Sequence, residues 1–151
     1  VHAAGQAASG RPRAVFHLCQ TIAPHMMNQR SGRIINISSI AGRRGSIFGD
    51  VHYSSAKAGV IGFTRSAAAT YASSGIRFNA VAPGMVRTPA AARLLGNEKA
   101  EAASVAMHPL GRLGEPADVA MALSWLLSPD QSWVTGQVMD VDGGLSAVRP
   151  R

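Results

Sequence analysis

Short apolar runs alternate along the chain with longer segments that carry apolar or alanine residues at helical spacing. Three short runs are rich in apolar residues and are bounded by Gly, Ser or Pro: residues 32–39, 76–83 and 136–144. A short apolar-rich run between turn residues is typical of a strand that is buried on both faces. The pattern therefore predicts three buried β-strands.

Four segments between and around these runs have helical periodicity, and the pattern predicts helices over 15–29, 52–72, 90–106 and 115–127. Pro24 lies inside the first of them and is expected to kink or interrupt it. Gly75 follows the second as a stop signal. Pro116 stands at an early helical position, where proline is tolerated.

The alternation of strands and helices predicts βαβ units, and hence an α/β fold with a parallel sheet between helices. In such sheets, ligands bind at the carboxyl ends of the strands. Three short motifs fall at those ends: Ser38-Ser39, Pro83-Gly84 and Gly143-Gly144. We expect the functional site there.

The composition is that of one folded domain. The chain has 151 residues, of which 46% are hydrophobic and 15% charged, which excludes a disordered protein. No apolar run is long enough to span a bilayer, and the first ten residues do not resemble a signal peptide. Cys19 has no disulfide partner in the chain, so we expect a small core residue and a cytoplasmic location.

The net charge of +7 raises the question of nucleic-acid binding. The basic residues are scattered and aromatic residues make up only 5% of the chain, whereas nucleic-acid binders combine a basic stripe with stacking rings. The charge pattern therefore argues against a nucleic-acid partner. Arg43-Arg44, the only local basic cluster before the tail, is suited to attract an anionic ligand.

The stretch "DVHYSSAKAG" carries the candidate chemistry. Tyr53 and Lys57 are four residues apart and share one face of the predicted helix. A phenol is a poor acid–base catalyst at neutral pH unless a nearby ammonium favours its charged form. Ser39, at a strand end, could hydrogen-bond the carbonyl oxygen that Tyr53 protonates. This set suits the interconversion of a carbonyl and an alcohol, with hydride from a cofactor.

Each of these patterns also has a structural explanation. A bare Tyr-x-x-x-Lys also fits a surface tyrosine that packs on a lysine stem. Asn36 and Asn79 fit a role in satisfying backbone groups at strand ends. Asp140 and Asp142 alternate along a predicted strand without a third ligand nearby, so we predict no metal site.

The surrounding motifs make a family resemblance. From "GRIINISSIAG" through "YSSAKAGVIGFTRSAAATYASSGIRFNAVAPGMVRTP" to "HPLGRLGEPADVAMALSWLLSPDQSWVTGQVMDVDGG", the chain resembles the classical short-chain dehydrogenase/reductase (SDR) family, in the branch of 3-oxoacyl-carrier-protein reductases. The resemblance implies a Rossmann-like fold and an NAD(P)(H)-dependent oxidoreductase. It implies that Ser39 orients the substrate carbonyl, with a weaker claim for Ser38, and that Tyr53 is the general acid or base. Lys57 would stabilise the negative charge that Tyr53 carries after giving up its proton.

The same resemblance implies a cofactor site. Tyr53 would lie beside the nicotinamide, and Lys57 would hold the nicotinamide ribose hydroxyls. The Pro83-Gly84 turn would form the wall next to the nicotinamide. The backbone of Val86, together with Thr88, would hold the carboxamide.

The chain departs from the family pattern near its start. It contains neither Gly-x-x-x-Gly-x-Gly nor G-x-G-x-x-G, the loop that cradles the cofactor pyrophosphate, and the choice between NAD and NADP stays open. "VHAAG" resembles a variant of the motif that closes the family's fourth strand, and Arg11 stands where a catalytic Asn is usual. We therefore expect residues 1–14 to be a rearranged or remnant segment, 15–144 the SDR catalytic half and 145–151 a tail, with the first half of the doubly wound fold missing.

Two functions follow from these features. The first is an SDR-type oxidoreductase that acts on a small carbonyl or alcohol through Ser39, Tyr53 and Lys57. The second is a non-catalytic remnant that serves only as an oligomerisation partner. A partial sheet would expose a strand edge and an apolar helix face, so we expect a homo-oligomer or pairing with a related SDR chain.

Overall fold

Three parallel strands form the centre of the fold. The computed structural model describes residues 2–44 and 51–148, with side chains from residue 13 onward. The strands are β1 (Gly32–Ile37), β2 (Ile76–Pro83) and β3 (Val138–Val141), in the order β1-β2-β3. The predicted α/β class and all three predicted strands are confirmed, although β1 and β3 are shorter than predicted.

The register brings the carboxyl ends of the strands to one edge of the sheet. β1 pairs with β2 from Gly32↔Ile76 to Ile37↔Val81. β2 pairs with β3 from Ala80↔Val138 to Pro83↔Val141. The residues that follow β1 and β2 therefore lie side by side, as the parallel sheet predicted.

Five α-helices accompany the sheet in the described part of the chain: α1 (His2–Gln29), α2 (Val51–Tyr71), α3 (Pro89–Leu95), α4 (Glu98–Met107) and α5 (Pro116–Leu127). A short 3-10 turn, Ile40–Gly42, follows β1, and another, Ala72–Ser74, follows α2.

Helix α1 runs through Pro24, so an interruption at this residue was the wrong expectation. Proline removes one backbone donor but does not prevent a helix whose other turns are held by packing. Cys19 and Ala23 provide that packing, because both are buried against the rest of the fold. Residues 2–5, which resemble a strand-closing motif, are helical as well.

The segment predicted as one helix over 90–106 is two helices. Gly96 has φ +24° and ends α3. The side chain of Asn97 caps α4 by accepting a hydrogen bond of 2.9 Å from Ala100 N–H. A glycine followed by an N-cap residue is a break signal that the alanine-rich periodicity concealed.

The main core lies between α1, α2 and the amino-terminal half of β2. Ile76 and Phe78 are fully buried there together with Cys19, which confirms that cysteine as a core residue. The ring of Tyr71 stacks on that of Phe78, with 5.5 Å between centroids. This core fixes α2 against the sheet and so positions the residues at its first turns.

Several large apolar side chains remain exposed. On α1 they are Phe16, Leu18, Ile22 and Met27, and on α5 they are Met121, Trp125 and Leu127. The exposed apolar helix faces agree with the expectation for a partial sheet, and association through them stays a prediction. None of the described helices combines the length and the apolar character needed to cross a membrane.

Candidate active site

Tyr53 and Lys57 occupy the first turns of α2, one turn apart. The ammonium Nζ of Lys57 lies 5.9 Å from the centroid of the Tyr53 ring, within the range of a cation–π contact. The same Nζ donates a hydrogen bond of 2.8 Å to the carbonyl oxygen of Ile37, the last residue of β1. The cation is thus held between the tyrosine ring and the carboxyl end of the strand.

Ser38 joins β1 to the same helix position. Its side chain is buried, and its hydroxyl donates a hydrogen bond of 2.9 Å to the carbonyl oxygen of Lys57. Its backbone N–H donates to Val81 and continues the ladder with β2. Because its hydroxyl proton is used within the protein, Ser38 acts as a structural link between strand and helix.

Ser39 has a different hydrogen-bonding role. Its backbone is extended (φ −167°, ψ 154°), and its hydroxyl oxygen caps the 3-10 turn by accepting 3.1 Å from Ala41 N–H. A hydroxyl that accepts through its oxygen still has its proton to donate. Ser39 can therefore present an O–H donor to a ligand while the cap orients its oxygen.

Gly42 allows the 3-10 turn to approach α2 at Lys57. A Cβ atom at this position would lie 2.5 Å from the carbonyl carbon of Lys57 and 2.7 Å from the nitrogen of Ala58. Ile37, Ser38 and Gly42 thus all touch Lys57. The structure thereby brings Ser39 beside the turn of α2 that carries Tyr53 and Lys57.

The predicted cofactor turn follows β2 at the neighbouring strand end. Gly84 N–H donates 3.0 Å to the carbonyl of Val141, and a Cβ on Gly84 would come within 3.0 Å of Asp142. Val86 forms a parallel bridge with Gly114. Thr88 caps α3, with its hydroxyl oxygen 3.2 Å from Ala91 N–H. Pro83 ends the strand as predicted.

The bridge at Val86 determines where its own backbone groups point. Gly114 bonds the carbonyl of Met85 at 2.9 Å and the N–H of Arg87 at 2.8 Å. Backbone groups of successive strand residues point to opposite sides, so the N–H and C=O of Val86 face away from Gly114. Among the hydrogen bonds of the described residues, none uses Val86 N–H.

Sequence reasoning missed two features of this site. His108 is buried and its Nε2 accepts a long hydrogen bond of 3.4 Å from Met85 N–H. Asp142 accepts from Gly144 N–H at 3.0 Å, from Ser146 N–H at 2.8 Å and from the Ser146 hydroxyl, and so it orders the chain after β3. The bond of His108 joins it to a residue 23 positions away, which no local pattern indicates, and Asp142 was considered in the sequence only as a metal ligand.

Charged groups around the site are mostly paired. Arg43 binds Asp140 at 3.1 Å, and Arg44 donates 2.6 Å to the carbonyl of Leu145. The two arginines that were expected to attract an anion thus already bond to acceptors of the protein. Asn79 bonds the backbone of loop residues 134 and 137, as expected from its strand position.

Two open cavities flank the turn region. One of about 290 Å³ lies under the cofactor turn and is lined by Met85, Gly114 and residues 140–144. The other, about 550 Å³, lies between Arg44, α4 and residues 145–148. Neither includes Tyr53 in its walls, and the candidate catalytic residues lie outside both cavities, at the end of β1 and on α2.

A family model described as "Enoyl-(Acyl carrier protein) reductase" matches residues 6–146. The match extends over most of the chain. The chain belongs to the short-chain dehydrogenase/reductase family. It spans about half the length of the relatives that it matches.

Two relatives of this chain are named as different enzymes. The chain is 44% identical over 133 residues to the 3-oxoacyl-[acyl-carrier-protein] reductase FabG of Thermotoga maritima, covering 88% of this chain and 53% of that protein. It is 50% identical over 124 residues to the cis-4-hydroxycyclohexanecarboxylate dehydrogenase of Sinomonas cyclohexanicum, covering 82% and 49%.

Solved SDR structures match the fold. A putative gluconate dehydrogenase from Agrobacterium tumefaciens superposes with a TM-score of 0.92 at 28% identity, over 97% of this chain and 58% of that one. A 3-oxoacyl-[acyl-carrier protein] reductase from Brucella melitensis with bound NAD gives 0.77 at 41% identity, over 88% and 48%. ElxO with NADP bound gives 0.79 at 35% identity, over 86% and 52%.

Proposed function

We propose that this SDR chain carries the acid–base machinery of an NAD(P)(H)-dependent oxidoreductase that interconverts a carbonyl and an alcohol. The observation that supports it best is the placement of the Lys57 ammonium, 5.9 Å from the Tyr53 ring centroid and 2.8 Å from the carbonyl that ends β1. The cation is fixed there at the carboxyl edge of the sheet, where ligands of α/β proteins bind.

Tyr53, Lys57 and Ser39 each have a distinct role in this reaction. In the reducing direction Tyr53 donates its phenolic proton to the substrate oxygen, and in the oxidising direction it removes that proton. The charge of Lys57 compensates the negative charge that develops on the phenol oxygen. Ser39 donates its hydroxyl proton to the same substrate oxygen and orients it. Together they stabilise charge at one atom.

The turn after β2 fits the nicotinamide end of the cofactor. The N–H and C=O of Val86 point away from Gly114 and suit a carboxamide, which has both a donor and an acceptor. Thr88 stands two residues further and Lys57 lies across the neighbouring strand end, where it would hold ribose hydroxyls. A bound nicotinamide cofactor would supply or accept the hydride, which no side chain can do. Related structures hold NADP or NAD, and we propose one of these two.

The substrate that we propose is a small or extended carbonyl compound or alcohol. The segment after Thr88 is short and alanine-rich, which favours such a molecule over a bulky polycyclic one. The lone Cys19 is compatible with a reducing compartment, and we propose the cytoplasm as the location.

The test is a comparison of two tyrosine variants in the protein as its gene encodes it. With NADH or NADPH and a β-ketoester, Tyr53→Phe should lower kcat by at least about 100-fold, because it removes the proton donor. Tyr71→Phe is the matched control: Tyr71 is the other tyrosine and stacks on Phe78 in the core. Its kcat should stay within about twofold of the wild type.

Two results would contradict this function. Turnover that survives in Tyr53→Phe would show that another group transfers the proton. A wild-type protein that binds neither cofactor up to millimolar concentration, followed by nicotinamide fluorescence, would exclude the reaction altogether.

A second role, association with another copy or with a related SDR chain, is favoured by the apolar face of α1. Leu18 is 70% exposed there, and Phe16 and Ile22 are about half exposed on the same helix. An apolar face of this kind is typical of an interface. Light scattering should show a dimer or larger assembly that Leu18→Lys weakens, and a strictly monomeric wild type would rule this role out. Association without cofactor binding would support the non-catalytic alternative.

A further inference from the structure

His108 is a buried imidazole that the proposed reaction does not use. It lies at the carboxyl end of α4, is 3% exposed, and its backbone N–H bonds the carbonyl of Val105 at 2.9 Å. Its ring has two partners on opposite sides. Nδ1 lies 2.7 Å from the carbonyl oxygen of Ser104, and Nε2 lies 3.4 Å from the backbone nitrogen of Met85.

The two partners determine the tautomer of the ring. A carbonyl oxygen can only accept and a backbone N–H can only donate. Nδ1 therefore carries the proton and donates to Ser104, while Nε2 accepts from Met85. An imidazole bound in this way links the end of α4 to the turn after β2 through one rigid side chain.

The Met85 bond completes the anchoring of the cofactor turn. Gly84 N–H is held by β3 through Val141, and Arg87 N–H is held by Gly114. His108 holds the N–H between them, on Met85. Val86 is thus flanked on both sides by residues whose backbone is fixed, and its own N–H faces away from Gly114.

Two glycines leave the space that the ring occupies. A Cβ on Gly84 would lie 3.1 Å from His108 Nε2, closer than ordinary van der Waals contact. A Cβ on Gly143 would lie 3.6 Å from the ring carbon Cδ2. The ring therefore fits between the turns that end β2 and β3, and it contacts the cofactor turn by packing as well as by the hydrogen bond.

We propose that His108 is a positioning residue that holds the Met85–Val86 turn in the conformation that binds the nicotinamide carboxamide. It acts through Met85 and Val86 and does not touch the reacting atoms. This inference rests on the proposed function, since it needs a nicotinamide cofactor at the turn.

Three substitutions separate the two ends of the ring. His108→Gln can place an amide oxygen near the position of Nε2 and keeps the acceptor for Met85. His108→Asn can place an amide N–H near the position of Nδ1 and keeps the donor to Ser104 only. His108→Leu removes both groups. Urea unfolding of each variant checks that it is folded.

The readout is binding of two ligands to the protein as its gene encodes it. NAD(P)H carries the carboxamide, and ADP-ribose, or its 2′-phosphate for an NADP enzyme, lacks the nicotinamide. We expect His108→Asn and His108→Leu to weaken NAD(P)H binding by about fivefold, the usual effect of one hydrogen bond. His108→Gln should restore it, and ADP-ribose affinity should stay unchanged in all three.

A merely structural histidine would give the opposite pattern. The inference is wrong if His108→Asn keeps its affinity for NAD(P)H while His108→Gln loses it. It is also wrong if the affinity for ADP-ribose falls together with that for NAD(P)H. If the variants do not fold, ¹⁵N spectra of the wild-type ring decide: a proton on Nδ1 with a protected Met85 amide supports it, and a proton on Nε2 overturns it. Failure of the proposed function looks different, because wild type would then bind no NAD(P)H.

Discussion

The close approach at Gly42 gives the sharpest test of how the site is assembled. Replacing it with alanine adds one methyl group, whose carbon would sit 2.5 Å from the carbonyl carbon of Lys57. Carbon atoms in ordinary contact are about 3.5 Å apart, so the turn must move away from α2 by about 1 Å. The atoms in the way are backbone, and a side chain cannot simply rotate to make room.

Two opposing contributions determine how much Gly42→Ala changes the free energy of unfolding. Forcing a methyl group into a packed site costs about 1–3 kcal/mol, and the φ of Gly42 lies outside the left-handed region, so no backbone strain is added. Alanine also restricts the unfolded chain, which offsets about 0.4–1 kcal/mol. We expect Gly42→Ala to lower the free energy of unfolding by about 1–2 kcal/mol.

Gly59→Ala is the matched control. Gly59 lies inside α2, and nothing lies within 4 Å of the Cβ that alanine would add. Alanine is favoured over glycine in a helix interior by about 0.5–1 kcal/mol, so this variant should be more stable than wild type. For a chain of this size each kcal/mol shifts Tm by about 2–4 °C.

Urea unfolding followed by circular dichroism measures both changes. The two variants should fall on opposite sides of the wild type, with Gly42→Ala the less stable. A Gly42→Ala protein as stable as Gly59→Ala would refute the tight packing of the turn on Lys57, and with it the argument that places Ser39 beside α2.

Three further outcomes follow from other contacts. Thr64→Val removes the hydroxyl that accepts 2.9 Å from the buried amide of Asn36, so it should cost about 1–3 kcal/mol in urea unfolding, and Thr64→Ser should recover most of this. The Arg112 guanidinium lowers the pKa of Asp118 to about 2, so its stabilisation is complete above about pH 4 and is lost as pH falls towards 2; melting curves of Asp118→Asn should therefore fall less steeply over that range, and parallel curves would contradict the pairing. Burial raises the pKa of the Cys19 thiol, so iodoacetamide should react much more slowly with the native protein than with the urea-unfolded one, and equal rates would contradict its burial.

The strands were largely predictable from local patterns because each is a short run rich in apolar residues and bounded by turn residues. β2 coincides with the predicted 76–83, where every residue except Arg77 and Pro83 is buried. The errors lie in helices. At Pro24, tertiary packing continues α1 in spite of the proline. At Gly96 and Asn97, the alanine-rich periodicity conceals the signal that ends one helix and begins the next.

The candidate site was predictable only in part. Tyr53 and Lys57 follow from helical spacing, and Ser39 from its place at a strand end. The roles of Ser38 and Gly42 did not follow, because both depend on the contact between the 3-10 turn and the backbone of Lys57. That contact joins residues about twenty positions apart.

The amino-acid sequence by itself determined the family and the α/β class and supplied the candidate acid–base residues, because these depend on periodicity and on motifs within a few residues. Tertiary structure alone decided which hydroxyl keeps a proton to donate, that Lys57 is held by the carbonyl of Ile37, and that His108 reaches Met85. The physical reason is that these hydrogen bonds join segments that are distant in the sequence, and their partners are determined by how those segments pack together.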